Sequence, residues 1–195
     1  MRQVWMSAIL VCWSLWPGTL DAATTVGPIN VTASISGTKS INCTILQDNN
    51  PGNVVTSMNY GALQLNANSN FVGTKFFQFH CGVTNNTTTP YQVTQTGGTL
   101  TSGSNTLNNG SWIVTPLNGI GGNPSNPFPP GTTVGACGTA AATNKMLFTQ
   151  ANGTTVSDYS FTYGITDDPA NCASGQIPGS QPAGTYTTTV TITLL

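Results

Sequence analysis

The feature that most constrains the fold is the alternation in residues 182–195, PAGTYTTTVTITLL. After the turn signal Pro182-Ala183-Gly184, one side carries Tyr186, Thr188, Val190, Ile192 and Leu194. The other side carries Thr187, Thr189, Thr191, Thr193 and Leu195. A period of two belongs to a β-strand with one buried and one wet face, whereas a helix repeats every 3.6 residues. Tyr, Thr, Val and Ile also suit a pleated, half-buried surface. No turn and no further strand follow in the sequence. The expectation is therefore that the partner for this strand's second edge comes from earlier in the chain or from another molecule.

The leading region has the same character. In residues 23–36, Gly27, Ile29, Val31, Ala33 and Ile35 fall on one face and Asn30, Thr32, Ser34 and Ser36 on the other. Residues 37–40 interrupt the pattern, and a short strand at 41–45 carries Cys43. Further strands are expected at 57–65, 70–81, 90–96, 111–117, 145–150 and 158–165, with a last one at 186–195. The stretch FVGTKFFQFHC is the most aromatic and is expected at the centre of the core, with Phe77 and Phe79 on one face. Residues 84–89, 97–110, 119–131 and 166–184 are rich in Gly, Pro, Asn, Ser and Thr and are expected as turns and loops. Many short strands at short spacing, with no amphipathic helix, indicate an all-β fold, most simply an immunoglobulin-like β-sandwich.

Residues 1–22 have the form of a secretory signal peptide. Arg2 gives a positive start, 8–16 is mostly apolar, Pro17-Gly18 breaks the helix, and Ala22 offers a small residue for cleavage. The apolar run is shorter than the roughly 20 residues of a bilayer span. Residues 23–36 then form an N-terminal extension and 37–195 one β-sandwich domain. Of the five cysteines Cys12 lies in the leader, leaving Cys43, Cys81, Cys137 and Cys172. An even number in an exported chain is expected to form disulfides. Three connectivities are possible, and Cys43–Cys81 with Cys137–Cys172 is favoured because sequential strands are usually neighbours. Zinc is disfavoured by the single His and the lack of a C-x-x-C pair.

Charged residues make up only 5% of the chain. No basic cluster is present to neutralise a phosphate backbone, so nucleic acid is not an expected partner. His80 is the sole side chain that titrates near neutrality and Glu is absent. No nucleophile elbow or phosphate-binding glycine loop is present. The pair Asp167-Asp168 precedes Pro169 and reads as a turn ahead of a calcium site. Six N-x-[ST] sequons, at Asn30, Asn42, Asn85, Asn86, Asn109 and Asn152, are unsurprising in so Asn- and Thr-rich a chain. No enzymatic activity, cofactor or metal is expected.

An exported chain that opens with INVTASISGTKSINCTI and closes with PAGTYTTTVTITLL resembles the spore coat protein U domain, which includes the pilins of archaic chaperone–usher pathways. The closing motif of that family is G-x-Y-x-D-x-V-x-V-x-[VI]. Gly184, Tyr186, Val190 and Ile192 match it, while Thr188 replaces the Asp and Leu194-Leu195 the usual aromatic end. The long Gly/Pro loop and the second cysteine pair also depart from the simplest members.

The resemblance implies an incomplete, donor-strand-complemented sandwich. A periplasmic chaperone, and then the neighbouring subunit placed by an outer-membrane usher, would supply the missing strand. It makes Gly27, Ile29, Val31, Ala33 and Ile35 the candidate donor face, and Tyr186, Val190, Ile192 and Leu194 the candidate acceptor groove. The expected product is a cell-surface fimbria or a secreted protein, exported through the periplasm and without a membrane span. The alternative reading of residues 23–35 is the domain's own first strand. The alternative function is a secreted or tip adhesin, a carbohydrate-binding sandwich using Trp112, Tyr91 or Phe128. An adhesin of this type carries an extra binding domain, and 195 residues leave no room for one.

Overall fold

In a computed structural model of the chain, the described residues are 37–48, 50–87, 89–116, 131–151 and 156–195, with side chains in the last stretch described from Asp158 onward. The candidate donor residues Gly27, Ile29, Val31, Ala33 and Ile35 lie outside them, as do Phe128, Asn30 and Asn152. The strands are β1 (Lys39–Gln47), β2 (Val54–Val55), β3 (Gln64–Leu65), β4 (Asn70–Val72) and β5 (Phe76–Asn85). They continue with β6 (Tyr91–Gly97), β7 (Thr101–Ser102), β8 (Asn105–Thr106), β9 (Trp112–Thr115) and β10 (Thr132–Val134). The last are β11 (Gly138–Thr139), β12 (Lys145–Gln150), β13 (Val156–Ile165), β14 (Ile177–Pro178) and β15 (Val190–Leu194). Two single 3-10 turns, Asn109–Ser111 and Pro169–Asn171, are the only helical elements among the described residues.

The fold is all-β, with several antiparallel sheets arranged in a manner consistent with a β-sandwich. One sheet has the order β11-β9-β13-β5-β1-β2 and a second the order β10-β12-β6-β15. Two small sheets, β14-β4-β3 and β7-β8, are built from loop segments. The inner faces of the two large sheets share one core, with Phe79, Tyr159, Phe161 and Tyr163 from the first and Tyr91, Val93 and Phe148 from the second. Aromatic rings tie the layers together. Phe148 stacks on Tyr159 at 4.6 Å, and Phe79 lies 5.2 Å from both Phe161 and Tyr163.

Two buried polar links cross this core. Tyr91 and Tyr159 share a hydroxyl–hydroxyl bond of 2.7 Å. Gln95 is fully buried; its Nε2 donates to the Ala140 carbonyl at 3.0 Å and its Oε1 accepts from Tyr163 at 3.1 Å. A buried polar group is tolerated only when its hydrogen bonds are made, so these links specify one alignment of the sheets. Gly97, on the same strand as Gln95, has the Ala140 carbonyl oxygen where a Cβ would sit, so a side chain there would force β6 away.

The aromatic strand β5 is central in the six-stranded sheet, with Phe77 and Phe79 both buried. It is not the single run expected for 70–81. The Gly73 N–H bonds the Ile165 carbonyl at 2.9 Å, and the Asp48 side chain accepts from the Phe76 N–H at 3.1 Å. These contacts cut the run into β4 and β5, which join different sheets. The strand expected over 57–65 is also absent as such: β2 ends at Val55 and β3 begins at Gln64. Segments 97–110 and 166–184, expected as loops, contain β7, β8, β14 and both 3-10 turns. Leu100, Leu107 and Ile177 are buried there, because lone apolar side chains in polar stretches still seek the core.

The disulfides are Cys43–Cys81 and Cys137–Cys172. Cys43 and Cys81 are direct register partners on β1 and β5. Cys137 lies just before β11 and reaches the C-terminal end of the 3-10 turn at Pro169–Asn171, where Cys172 adopts a left-handed conformation with φ 66°.

Candidate binding groove

Between residues 56–63 and residues 181–190 the structure opens into a groove of about 1080 Å³. Its floor is apolar and draws on the six-stranded sheet and the small sheets: Ile45 of β1, Phe79 of β5, Trp112 of β9, Ile165 of β13 and Ile177 of β14, with Leu100 and Leu107 flanking β7 and β8.

The first wall is irregular for local reasons. Gly61 has φ +69°, and its N–H donates to the Asn59 side chain at 2.9 Å, so the chain turns here instead of continuing β2. Met58, Tyr60 and Leu63 nevertheless point inward and pack on the core. Tyr60 packs its ring edge-on against Phe77 at 5.1 Å and accepts a hydrogen bond from Trp112 Nε1 at 3.1 Å. Burial pushes the Tyr60 phenol well above its ordinary pKa, with the Trp112 bond opposing weakly, so the wall is uncharged. Among the described residues, 56–63 make no backbone–backbone hydrogen bond.

The second wall is half-paired. β15 runs antiparallel to β6 in the register Val190↔Gly97 to Leu194↔Val93, with an isolated bridge Thr101↔Thr187 ahead of it. Thr187, Thr189 and Leu195 all bond toward the β6 side. Successive backbone groups point to opposite edges, so Thr188, Val190, Ile192 and Leu194 direct their N–H and C=O groups away from β6. Tyr186 shares this alternation. Tyr186, Val190, Ile192 and Leu194 are also the side chains that pack on the core. Among the described residues β15 is therefore an edge strand whose second edge carries main-chain groups directly above an apolar floor.

Of the residues proposed from sequence as the acceptor, Tyr186 and Val190 line the groove. Ile192 and Leu194 lie beyond it, half-buried where β15 approaches β1. The Tyr186 ring is pinned across one end, its hydroxyl donating to the Pro182 carbonyl at 2.7 Å and accepting from Gln181 at 2.8 Å. The strand alternation ahead of Val190 does not form a regular strand: Thr187 bridges to Thr101 and the Thr189 carbonyl accepts from the Gly98 N–H, without a continuous ladder between them. Sequence reading missed the whole first wall and the floor residues Leu100, Leu107 and Ile177. The readable signal was Met58, Tyr60 and Leu63 flanking an Asn-Tyr-Gly turn, and isolated leucines in a polar stretch.

The other singled-out residues sit as follows. Trp112 and Tyr91 are 2% and 3% exposed, which removes them as surfaces for stacking on a sugar. His80 is exposed on the outer face of β5, with its Nδ1 3.4 Å from Ser160 Oγ. Partial desolvation holds its pKa below the ordinary value, and Asp158 opposes that shift. Asp167 accepts from Asn66 at 2.7 Å and Asn70 at 2.9 Å, and these bonds, Asn70 first, hold its carboxyl below the usual range. Asp168 caps the 3-10 turn by accepting from the Ala170 N–H. Among the described residues, no group of three or more His, Cys, Asp or Glu side chains comes together, and no helix is long and apolar enough to cross a membrane. No family model, no curated protein and no solved structure matches the chain.

Proposed function

We propose that this chain is a structural subunit of a surface fimbria assembled on the chaperone–usher route, and that neighbouring copies join by donor-strand exchange. The sandwich is read as immunoglobulin-like with one strand missing, the place of that strand being the groove. One observation carries this reading: an apolar trough runs between segment 56–63, which makes no backbone–backbone hydrogen bond among the described residues, and residues 181–190, whose alternate backbone groups point away from β6. A segment that adds itself to a sheet needs such a site, with main-chain hydrogen bonds for affinity and alternate side chains for specificity. An unguarded apolar edge otherwise invites uncontrolled pairing.

The occupant is residues 27–35 of a neighbouring copy. Gly27, Ile29, Val31, Ala33 and Ile35 provide one apolar face, and the stretch has no charge. At ~3.3 Å per residue these nine residues reach about 30 Å. The wall at 181–190, ten residues long, is of matching extent. Burying two Ile and one Val stabilises the joint by about 5–8 kcal/mol before ordering costs. A periplasmic chaperone covers the groove until an outer-membrane usher brings the next subunit.

Electron microscopy of the full chain and of a variant lacking residues 23–35 tests the proposal. Fibres from the first and none from the second are expected. Fibres of unchanged appearance from the truncated chain would rule out the donor role.

A further inference from the structure

The small sheet β14-β4-β3 has two faces with different chemistry. Phe71 and Ile177, register partners on β4 and β14, line the groove floor. Their neighbours Asn70 and Pro178, also register partners, face the other way, into a separate cleft of about 640 Å³. That volume falls within the ordinary range for a small-molecule site. Its lining is polar, with Asp167, Asn70, Ser174 and Gln176, and with the rings of Pro169 and Pro178 as the apolar surface.

We infer that this cleft binds a neutral, polyhydroxylated ligand, the chemistry of a sugar ring, with Asp167 as the anchoring acceptor. Asp167 is the cleft's one carboxylate. Both side-chain bonds that fix it, from Asn66 and from the buried Asn70, go to Oδ2, so Oδ1 takes neither of them. A carboxylate held by carboxamides stays ionised and accepts strongly from O–H groups. The remaining Ser and amide groups both donate and accept, which suits hydroxyls that do the same. The lining offers a cation one carboxylate and no His or Cys, and among the described residues no three His, Cys, Asp or Glu side chains converge.

The cleft is preorganised by contacts that serve no other visible purpose. The Ser174 N–H donates to the Gly110 carbonyl at 2.9 Å, and the Ala173 N–H to the Asp168 carbonyl at 3.2 Å. Gly175 lies directly on the Asn108 side chain, where a Cβ would collide. The Cys137–Cys172 disulfide ties down the segment that carries Ala173 and Ser174. A loop fixed in this way binds with a smaller ordering cost. The site is independent of the donor-strand reading, because groove and cleft lie on opposite faces of the same strands.

Saturation-transfer and chemical-shift NMR on the full chain test the inference, with methyl glycosides of glucose, galactose, mannose and N-acetylglucosamine as probes and calcium chloride as the cationic control. At least one glycoside is expected to transfer saturation and to shift Asn70, Asp167 and residues 174–176. Asp167→Asn is expected to weaken that binding at least about tenfold. The exposed Gln176→Ala is a second variant that does not disturb the Asn66–Asp167–Asn70 bonds, and it should weaken binding measurably. No response to any glycoside, shifts confined to other surfaces, equal binding by Asp167→Asn, or a response to calcium alone would each overturn the assignment.

Discussion

The centre of the six-stranded sheet and the open side of the sandwich are made from similar sequence and end in opposite states. β5 pairs with β1 on one edge and β13 on the other, and its Phe77, Phe79, Cys81 and Val83 are buried. β15 has a comparable alternation, yet among the described residues it pairs only with β6, and Tyr186, Val190, Ile192 and Leu194 remain half-buried. The difference lies in what stands opposite. β5 has regular strands on both sides, whereas the stretch leading into β15, up to Val190, lies across the groove from the turn-broken segment 56–63. A strand's pattern sets which side chains turn inward, and its neighbours decide whether the burial is completed.

Substitutions should separate the two regions by size of effect. Phe161→Ala removes a ring that touches Phe79, Phe148 and Tyr163. It should cost about 3–5 kcal/mol in urea unfolding, the largest effect of any single truncation here. Gln95→Ala leaves the Tyr163 hydroxyl without its acceptor in the core and removes one of the two donors to the Ala140 carbonyl, which keeps the Ala142 N–H; it should cost about 1–3 kcal/mol by the same measurement. Val190→Asp sits on the groove wall, half-buried against the core, and should destabilise an isolated subunit by about 1–2 kcal/mol, clearly less than Phe161→Ala. The same variant should lose fibres entirely in micrographs, since it places a charge against the donor. If Val190→Asp destabilises the monomer as much as Phe161→Ala, the two regions are not distinct.

The smallest effect is a pH dependence at the far face of β4. The folded pKa of Asp167 is depressed by its Asn70 and Asn66 bonds. Its contribution to stability is therefore complete above the unfolded value of about 3.9 and fades as pH falls through the lower folded value. Asp167→Asn should lower stability slightly at neutral pH, and that loss should shrink as pH falls below about 3.9, so the acid limb is flatter. A loss for that variant at pH 7 as large as at pH 3 would place the role of Asp167 in packing instead.

The long alternating runs were legible in the sequence because each supplies its own period. β5, β6, β12 and β13 lie where aromatic and β-branched residues alternate. The two-residue strands β2, β3, β7, β8, β11 and β14 were not, since two residues carry no period and their pairing is set by distant partners. β12 also hides a register shift between Met146 and Phe148, which places Leu147 and Phe148 together in the core. One groove wall was readable from Tyr186 and Val190. The other was not, because Asn59 and Gly61 break a stretch that otherwise reads as strand. The disulfide pairs follow from neighbouring strands for Cys43–Cys81, while Cys137–Cys172 closes a loop whose path only the fold defines.

Amide hydrogen exchange on assembled and unassembled protein tests the central claim most directly. If residues 27–35 of a neighbour fill the groove, the amides of Thr188 and Val190, together with those of residues 56–63, should exchange freely in the variant lacking 23–35. They should become strongly protected in the full-length assembly, while those of β5 and β13 stay protected in both. Equal exchange of the groove amides in the two preparations would contradict the account.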